Sequence, residues 1–236
     1  MKKNVKLTAC AVSLLFVSPA YAQEEVIAES QQCELRVWPT QNYIGINTGL
    51  LSGFGAIGAL ADIAAHDGKV KTIKGLMKDF LGPDVQIEEL NKIGLLATLK
   101  LPANYKIIIE EPTPFNEDLK KDPELKAKFK EMNATIKAKK RLIFSTSPCY
   151  AELITTHIFY HKAMMYGSNL FTGWQFREFD DQPLAKKTSV GRVKNPLENF
   201  PPKRDENIEA ANLELRDAYS KDFSEYVEKK VFGAAK

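Results

Sequence analysis

Between Arg141 and Phe179 the chain reads RLIFSTSPCYAELITTHIFYHKAMMYGSNLFTGWQFREF, its densest run of β-branched and aromatic residues. Such side chains pack well on a pleated, half-buried surface, so this stretch predicts the central sheet around which everything else is arranged. Pro148 and Gly167-Ser168-Asn169 divide it into strands at Leu142 to Thr146, Tyr150 to Tyr160 and Leu170 to Phe179. In the last, Leu170, Thr172, Trp174 and Phe176 share one face while Gln175 and Arg177 share the other. One side of the sheet should be covered and the other mixed.

The first residues constrain the compartment. Lys2, Lys3 and Lys6 precede an apolar run from Leu7 to Val17 and the small-residue pattern Ala20-Tyr21-Ala22. This is the layout of a secretory signal peptide cleaved before Gln23, and the run is too short for a permanent bilayer anchor. Leu7-Thr8-Ala9-Cys10 imitates a lipoprotein motif but lies ahead of most of the apolar run, which argues against lipidation. A periplasmic or secreted chain follows. With Cys10 removed, Cys33 and Cys149 are the remaining pair, and in an oxidising compartment they are expected to form a disulfide.

Processing also changes the charge. The 236 residues include 33 basic and 30 acidic side chains, but residues 1–22 hold three lysines and no acid, so the mature chain is formally neutral. A neutral chain lacks the basic face that displaces counterions from nucleic acid, and that partner class is set aside.

The segments in order predict an α+β fold. Its predominantly antiparallel central sheet spans about 141–179, with further strands near 33–38 and 105–109. Helices cover the sheet, and a long amphipathic helix ends the chain. Residues 23–32 read as a flexible leader, 33–179 as a single domain, 180–204 as a basic loop with four prolines, and 205–233 as the terminal helix. The alternation Cys33-Leu35-Val37 makes the first strand, stopped by Pro39. From Tyr43 to Ala65 the chain carries a single charge, Asp62, and several glycines, and it reads as a Gly-rich turn followed by a core helix from about Leu50. The alternative for 43–65 is a membrane segment, in which glycines at spacings near four would let two helices approach closely, or a peripheral membrane contact.

Helical spacing recurs over Lys69 to Leu81 and from Ile87 to Ala97, and Tyr105 to Ile109 is β-branched. Asp122-Pro123-Glu124 is a helix start, with the stripe Leu125, Phe129, Met132 and Ile136 behind it and Lys137, Lys139, Lys140 and Arg141 at its end. The terminal helix carries Ile208, Ala211, Leu215, Tyr219, Phe223, Tyr226 and Val231 on one stripe. It either wraps the sheet or projects as an arm. The order of short strand, helices and a run of strands is loosely similar to small envelope-assembly domains of secreted bacterial proteins, an analogy of architecture alone.

Chemistry-bearing patterns are sparse. His157 and His161 on a helix could share a zinc ion, but on a strand they stand about 13 Å apart, and no HExxH glutamate lies between them. A third ligand would have to be His66 or a carboxylate, so neither a metal nor another cofactor is expected. Glu152, inside an apolar run, should pair with Arg141 or Arg177 rather than act as an acid or base. Ser52, Ser145 and Ser147 lack the surroundings of a nucleophile, and Gly53-Phe54-Gly55-Ala56-Ile57-Gly58 matches a dinucleotide motif without the strand that should precede it.

No catalytic residues are therefore assigned. Glu152, His157, His161 and Arg177 stand as a candidate polar site. Lys186, Lys187, Arg192 and Lys194 stand as a candidate partner-binding set for an acidic envelope component or an envelope protein. The resulting expectation is a non-enzymatic binding or assembly accessory of the bacterial envelope. A hydrolase using Glu152 and a histidine, and a membrane-associated protein using 43–65, are the alternatives.

Overall fold

The alternating run at the start forms β1 (Cys33–Trp38), with Cys33, Leu35 and Val37 turned into the core. The computed structural model describes residues 32–48, 73–163 and 167–233. After β1 come β2 (Tyr43–Thr48), helix α1 (73–80), α2 (Pro83–Lys92), α3 (Leu95–Thr98) and β3 (Tyr105–Ile109). Then follow α4 (Asp118–Lys121), α5 (Pro123–Lys137), β4 (Tyr150–Ala163), β5 (Gly167–Asp180), β6 (Lys187–Leu197) and α6 (Ile208–Tyr226).

One six-stranded sheet has the order β3-β1-β4-β5-β6, with β2 also on β4. β1 runs parallel to both β3 and β4, and β2 runs parallel to β4. Only β4, β5 and β6 are antiparallel. The sheet is thus mixed: the expected antiparallel pairing holds for its central strands β4, β5 and β6, whereas β1, β2 and β3 join it in parallel. Period-two alternation identifies the faces of a strand but says nothing about the direction of its neighbour.

Three local expectations also change. Residues 142–146 form no strand, because the Leu142 N–H and the Lys140 carbonyl are taken by buried side chains of β4 and β5. The stretch 180–204 is not a loop throughout, since 187–197 is β6, paired along its length with β5. Tyr43 begins a strand rather than a turn, and the helix expected from about Leu50 lies outside the described residues, as do the signal peptide and nearly all of the leader.

Other signals map directly onto structure. Asp122 caps α5, its Oδ1 accepting from the N–H groups of Glu124 and Leu125 at 2.9 and 3.0 Å. The helical pattern from Ile87 to Ala97 is broken into α2 and α3 by Gly94, which sits at φ 71°, a left-handed conformation that glycine adopts without Cβ strain.

The long terminal helix wraps the sheet. Trp174 of β5 lies 5.0 Å, ring centre to ring centre, from both Tyr219 and Phe223 of α6. The Tyr226 hydroxyl donates to the Ser189 carbonyl at 2.6 Å and accepts from the Phe176 N–H at 2.9 Å, bridging β5 and β6 from the helix side. Truncating a core aromatic of this kind to alanine costs about 3 to 5 kcal/mol. Ile208, placed on the same stripe by spacing, is instead exposed at the first turn. α2 closes the layer: Arg216 of α6 donates to Glu89 at 2.6 Å, and Gln86 exchanges hydrogen bonds with the Thr40 backbone at 2.9 and 2.8 Å.

Candidate functional site

Because side chains alternate along a strand, the positions not facing α6 form a second, outer face. On β4 and β5 it carries Glu152 opposite Arg177 at one end, and Phe159 opposite Phe171 with His161 opposite Asn169 at the other. β2 adds Ile44 beside Phe159 and Ile46 beside His161.

At the first end the face is sealed. Glu152 and Arg177 form an ion pair in which both side chains are fully buried. Glu152 also accepts from the Tyr150 hydroxyl at 2.8 Å and the Leu142 N–H at 2.7 Å, while Arg177 donates to the Lys140 carbonyl at 2.9 Å. Burial pushes the Glu152 carboxyl up, against the opposing pull of Arg177, the Leu142 N–H and the Tyr150 hydroxyl, all of which favour the carboxylate. Of the two partners the sequence offered, Glu152 takes Arg177. Arg141 instead donates to the carbonyls of Ser145 and Asp180 and lies over the ring of Tyr150. The segment 140–145 is in this way tied down across the end of the sheet.

At the second end the face is accessible. The rings of Phe159 and Phe171 stack at 5.3 Å, with His161 at 5.8 Å from the first and Arg192 of β6 at 5.5 Å over the second. Ile46 is 42% exposed, and on β6 the exposed Arg192 and Lys194 stand opposite Gly173 and Phe171. Val190, 64% exposed, lies farther along β6, opposite Gln175. His157 lies across Gly173, where a Cβ would stand 2.4 Å from its Cε1, so glycine is what lets the imidazole lie flat on the strand. Desolvation, with help from Arg192, holds the His157 imidazole below its usual range and so in its neutral form.

The structure distributes the expected site residues rather than uniting them. Arg177 and Gly173, which face Glu152 and His157, are four positions apart on one strand, about 13 Å, so Glu152 and His157 do not converge. His157 and His161 are likewise spread along β4, and His66 lies outside the described residues. Among the described residues, no group of three or more His, Cys, Asp and Glu side chains could hold a metal ion. Cys33 and Cys149 are joined, closing 116 residues and stapling β1 to the start of β4. The basic quartet is split. Arg192 and Lys194 are on the outer face, Lys187 lies over Phe232 on the α6 side, and Lys186 is paired with Asp180 at 2.7 Å.

Sequence reasoning missed Phe159, Phe171, Ile44, Ile46 and Val190. The signal was present in Val190-Gly191-Arg192-Val193-Lys194, which alternates once Ser189 and Val193 are recognised as inward-facing. Gly191 and the flanking prolines concealed it.

What the fold and this face define is an α+β protein with a mixed six-stranded sheet, sealed at one end of its outer face and accessible at the other. The chain matches no protein-family model, and no curated protein matches it. Among the described residues, no helix is long and apolar enough to cross a membrane.

Proposed function

We propose that this chain is an exported, periplasmic, non-enzymatic binding or assembly accessory of the bacterial cell envelope, which recognises a partner through the accessible end of its outer sheet face. The single observation that carries the recognition surface is the stacked Phe159–Phe171 pair, flanked by His161 and Arg192 and edged by the exposed Lys194 opposite Phe171. An apolar centre with cationic residues beside it fits a protein partner that offers apolar side chains within an acidic border. Export rests on the N-terminal pattern, and the disulfide is compatible with it.

A photo-reactive residue in place of Phe171 tests both parts in living cells. The exported chain, beginning at Gln23, should crosslink to one envelope component of discrete mass. The same residue in place of Leu213, exposed on α6, should give no such product. Retention of residues 1–22 in the cytoplasm, or equal crosslinking from both positions, overturns the reading.

A further inference from the structure

The sealed end of the sheet does more than fill a core. Two of its buried side chains hold a surface segment in place through backbone atoms: Arg177 grips the Lys140 carbonyl and Glu152 the Leu142 N–H. A second segment is fastened to the first, with the Ala185 N–H donating to the Lys139 carbonyl at 2.8 Å and Leu184 bridged to Lys140. Beyond these anchors stands Phe144, 87% exposed, with the half-exposed Leu184 on the neighbouring segment. A groove of about 560 Å³ that includes Ile143, Pro183 and Arg141 runs between them.

A phenylalanine almost wholly in water contributes little to the fold, and its burial on a partner surface is favourable. The charges around it indicate where. Within the two segments and their flanks Lys137, Lys139, Lys140, Arg141 and Lys186 stand against Asp180 and Asp181. One of those acids is already paired with Lys186. Glu178 also lies near Lys186, and Glu110, Glu111 and Glu131 line the cavity on the other side of Leu142 and Ile143. An apolar tip beside the exposed Lys137, Lys139 and Lys140 is the chemistry of interfacial insertion into an anionic bilayer, the lysines attracted to headgroups and the tip entering the acyl boundary. From this we infer that residues 139–145 and 183–186 form a two-loop wedge that binds an anionic lipid surface through Phe144 and Leu184. The inference rests on the envelope reading only for where the lipid would be met.

The test is cosedimentation of the exported full-length product with vesicles of phosphatidylglycerol and phosphatidylcholine, against vesicles of phosphatidylcholine alone. The parent should sediment with the anionic vesicles only, and high salt should release it. Phe144→Ser with Leu184→Ser should lower the apparent affinity about tenfold or more. Folding should be unchanged, since both side chains are largely in solvent. Lys137→Ser and Lys140→Ser with Lys139→Asn, the last chosen because Lys139 sits at φ 58°, should weaken binding without touching the apolar tip.

Phe144→Trp supplies a direct readout, because Trp38 and Trp174 are buried: its emission should move to the blue on anionic vesicles. Phe159→Ala with Phe171→Ala should sediment as the parent does, which separates this surface from the sheet face. No sedimentation of the parent, equal sedimentation on both vesicle types, or full sedimentation of the Phe144/Leu184 variant would each overturn the inference. So would loss confined to the sheet-face variant, or a Phe144-dependent crosslink to a protein without vesicle binding.

Discussion

The two ends of the outer sheet face are made by the same strands, yet one is dry and the other wet. Around Glu152 and Arg177 both charges are fully buried beneath the segment that follows α5. Around Phe159, His161 and Phe171, two phenylalanines remain partly in water beside Arg192. Polar residues are therefore buried where apolar ones would be expected, and the reverse. A fully desolvated ion pair is seldom the cheapest filling for a core, whereas a pair that also satisfies a carbonyl and an N–H of a crossing segment fixes that segment's position. The sealed end is built to hold a loop; the other end is left accessible.

Removing the cation at the sealed end should break the comparison most severely. Arg177→Met leaves Glu152 buried without its partner and the Lys140 carbonyl without its donor, and should cost about 3 to 5 kcal/mol in urea unfolding. Adding Glu152→Gln should recover part of the loss. In the single variant, hydrogen exchange at the Leu142 amide should accelerate, while amides beside Phe171 should keep the rates they show in the parent after correction for global stability. Equal loosening of both ends would mean that the two regions are one unit. Next in size is the crosslink: Cys33→Ser with Cys149→Ser should cost about 2 to 4 kcal/mol, because the closed loop of 116 residues no longer restricts the unfolded chain. Non-reducing peptide mass analysis of the parent should find the two cysteines linked.

What could be read without coordinates divides along the same physical line. Short-range chemistry was legible: Asp122 as a cap, Cys33-Leu35-Val37 as an inward face, and most of the α6 stripe. The pairing of Glu152 with one of two arginines was legible too, because a carboxylate in an apolar run has few alternatives. Strand direction was not, since β1 meets β4 across more than a hundred residues of sequence. Nor was β6, where Gly191 and Pro196 weaken the β signal although Pro196 sits one residue from the strand's end. The expected strand at 142–146 shows the opposite error: β-branched and apolar residues were present, but side chains of β4 and β5 had claimed the backbone.

A third buried charge sharpens the contrast between paired and unpaired carboxylates. Asp222 of α6 accepts from Thr172 and Asn195, both at 2.7 Å, with no cation beside it among these partners. Burial pushes its carboxyl up to about 7, a shift opposed by the two hydrogen bonds and increased by nearby Glu225. The folded state thus holds a proton that the unfolded chain releases near pH 4. Stability should fall as pH rises from about 4 to about 7 and level off above that. Asp222→Asn should remove this dependence, matching the parent at the acid end and exceeding it at pH 8 in thermal unfolding. An unchanged pH profile in the variant would place the ionisation elsewhere.

The smallest effect on stability is expected at the accessible end, and its smallness is what defines that end as a surface. Phe159→Ala with Phe171→Ala removes a stacked pair that is already partly hydrated. The loss is the ring–ring interaction and a fraction of the burial energy, about 1 kcal/mol. His161 and Arg192 lose the rings beneath them, but both already reach solvent and need no other partner. The main-chain ladder, the Ile158 and Tyr160 side chains beneath the sheet and the α6 layer are untouched. Binding should respond very differently, because aromatic anchors at the centre of an interface commonly contribute 2 kcal/mol or more, ~30-fold or greater in affinity. The double variant should therefore unfold near the parent's midpoint while the crosslink from the neighbouring Lys194 position, opposite Phe171 on β6, to the envelope component disappears. Destabilisation by several kcal/mol would show instead that the rings belong to the core, and the open face would lose its claim to recognition.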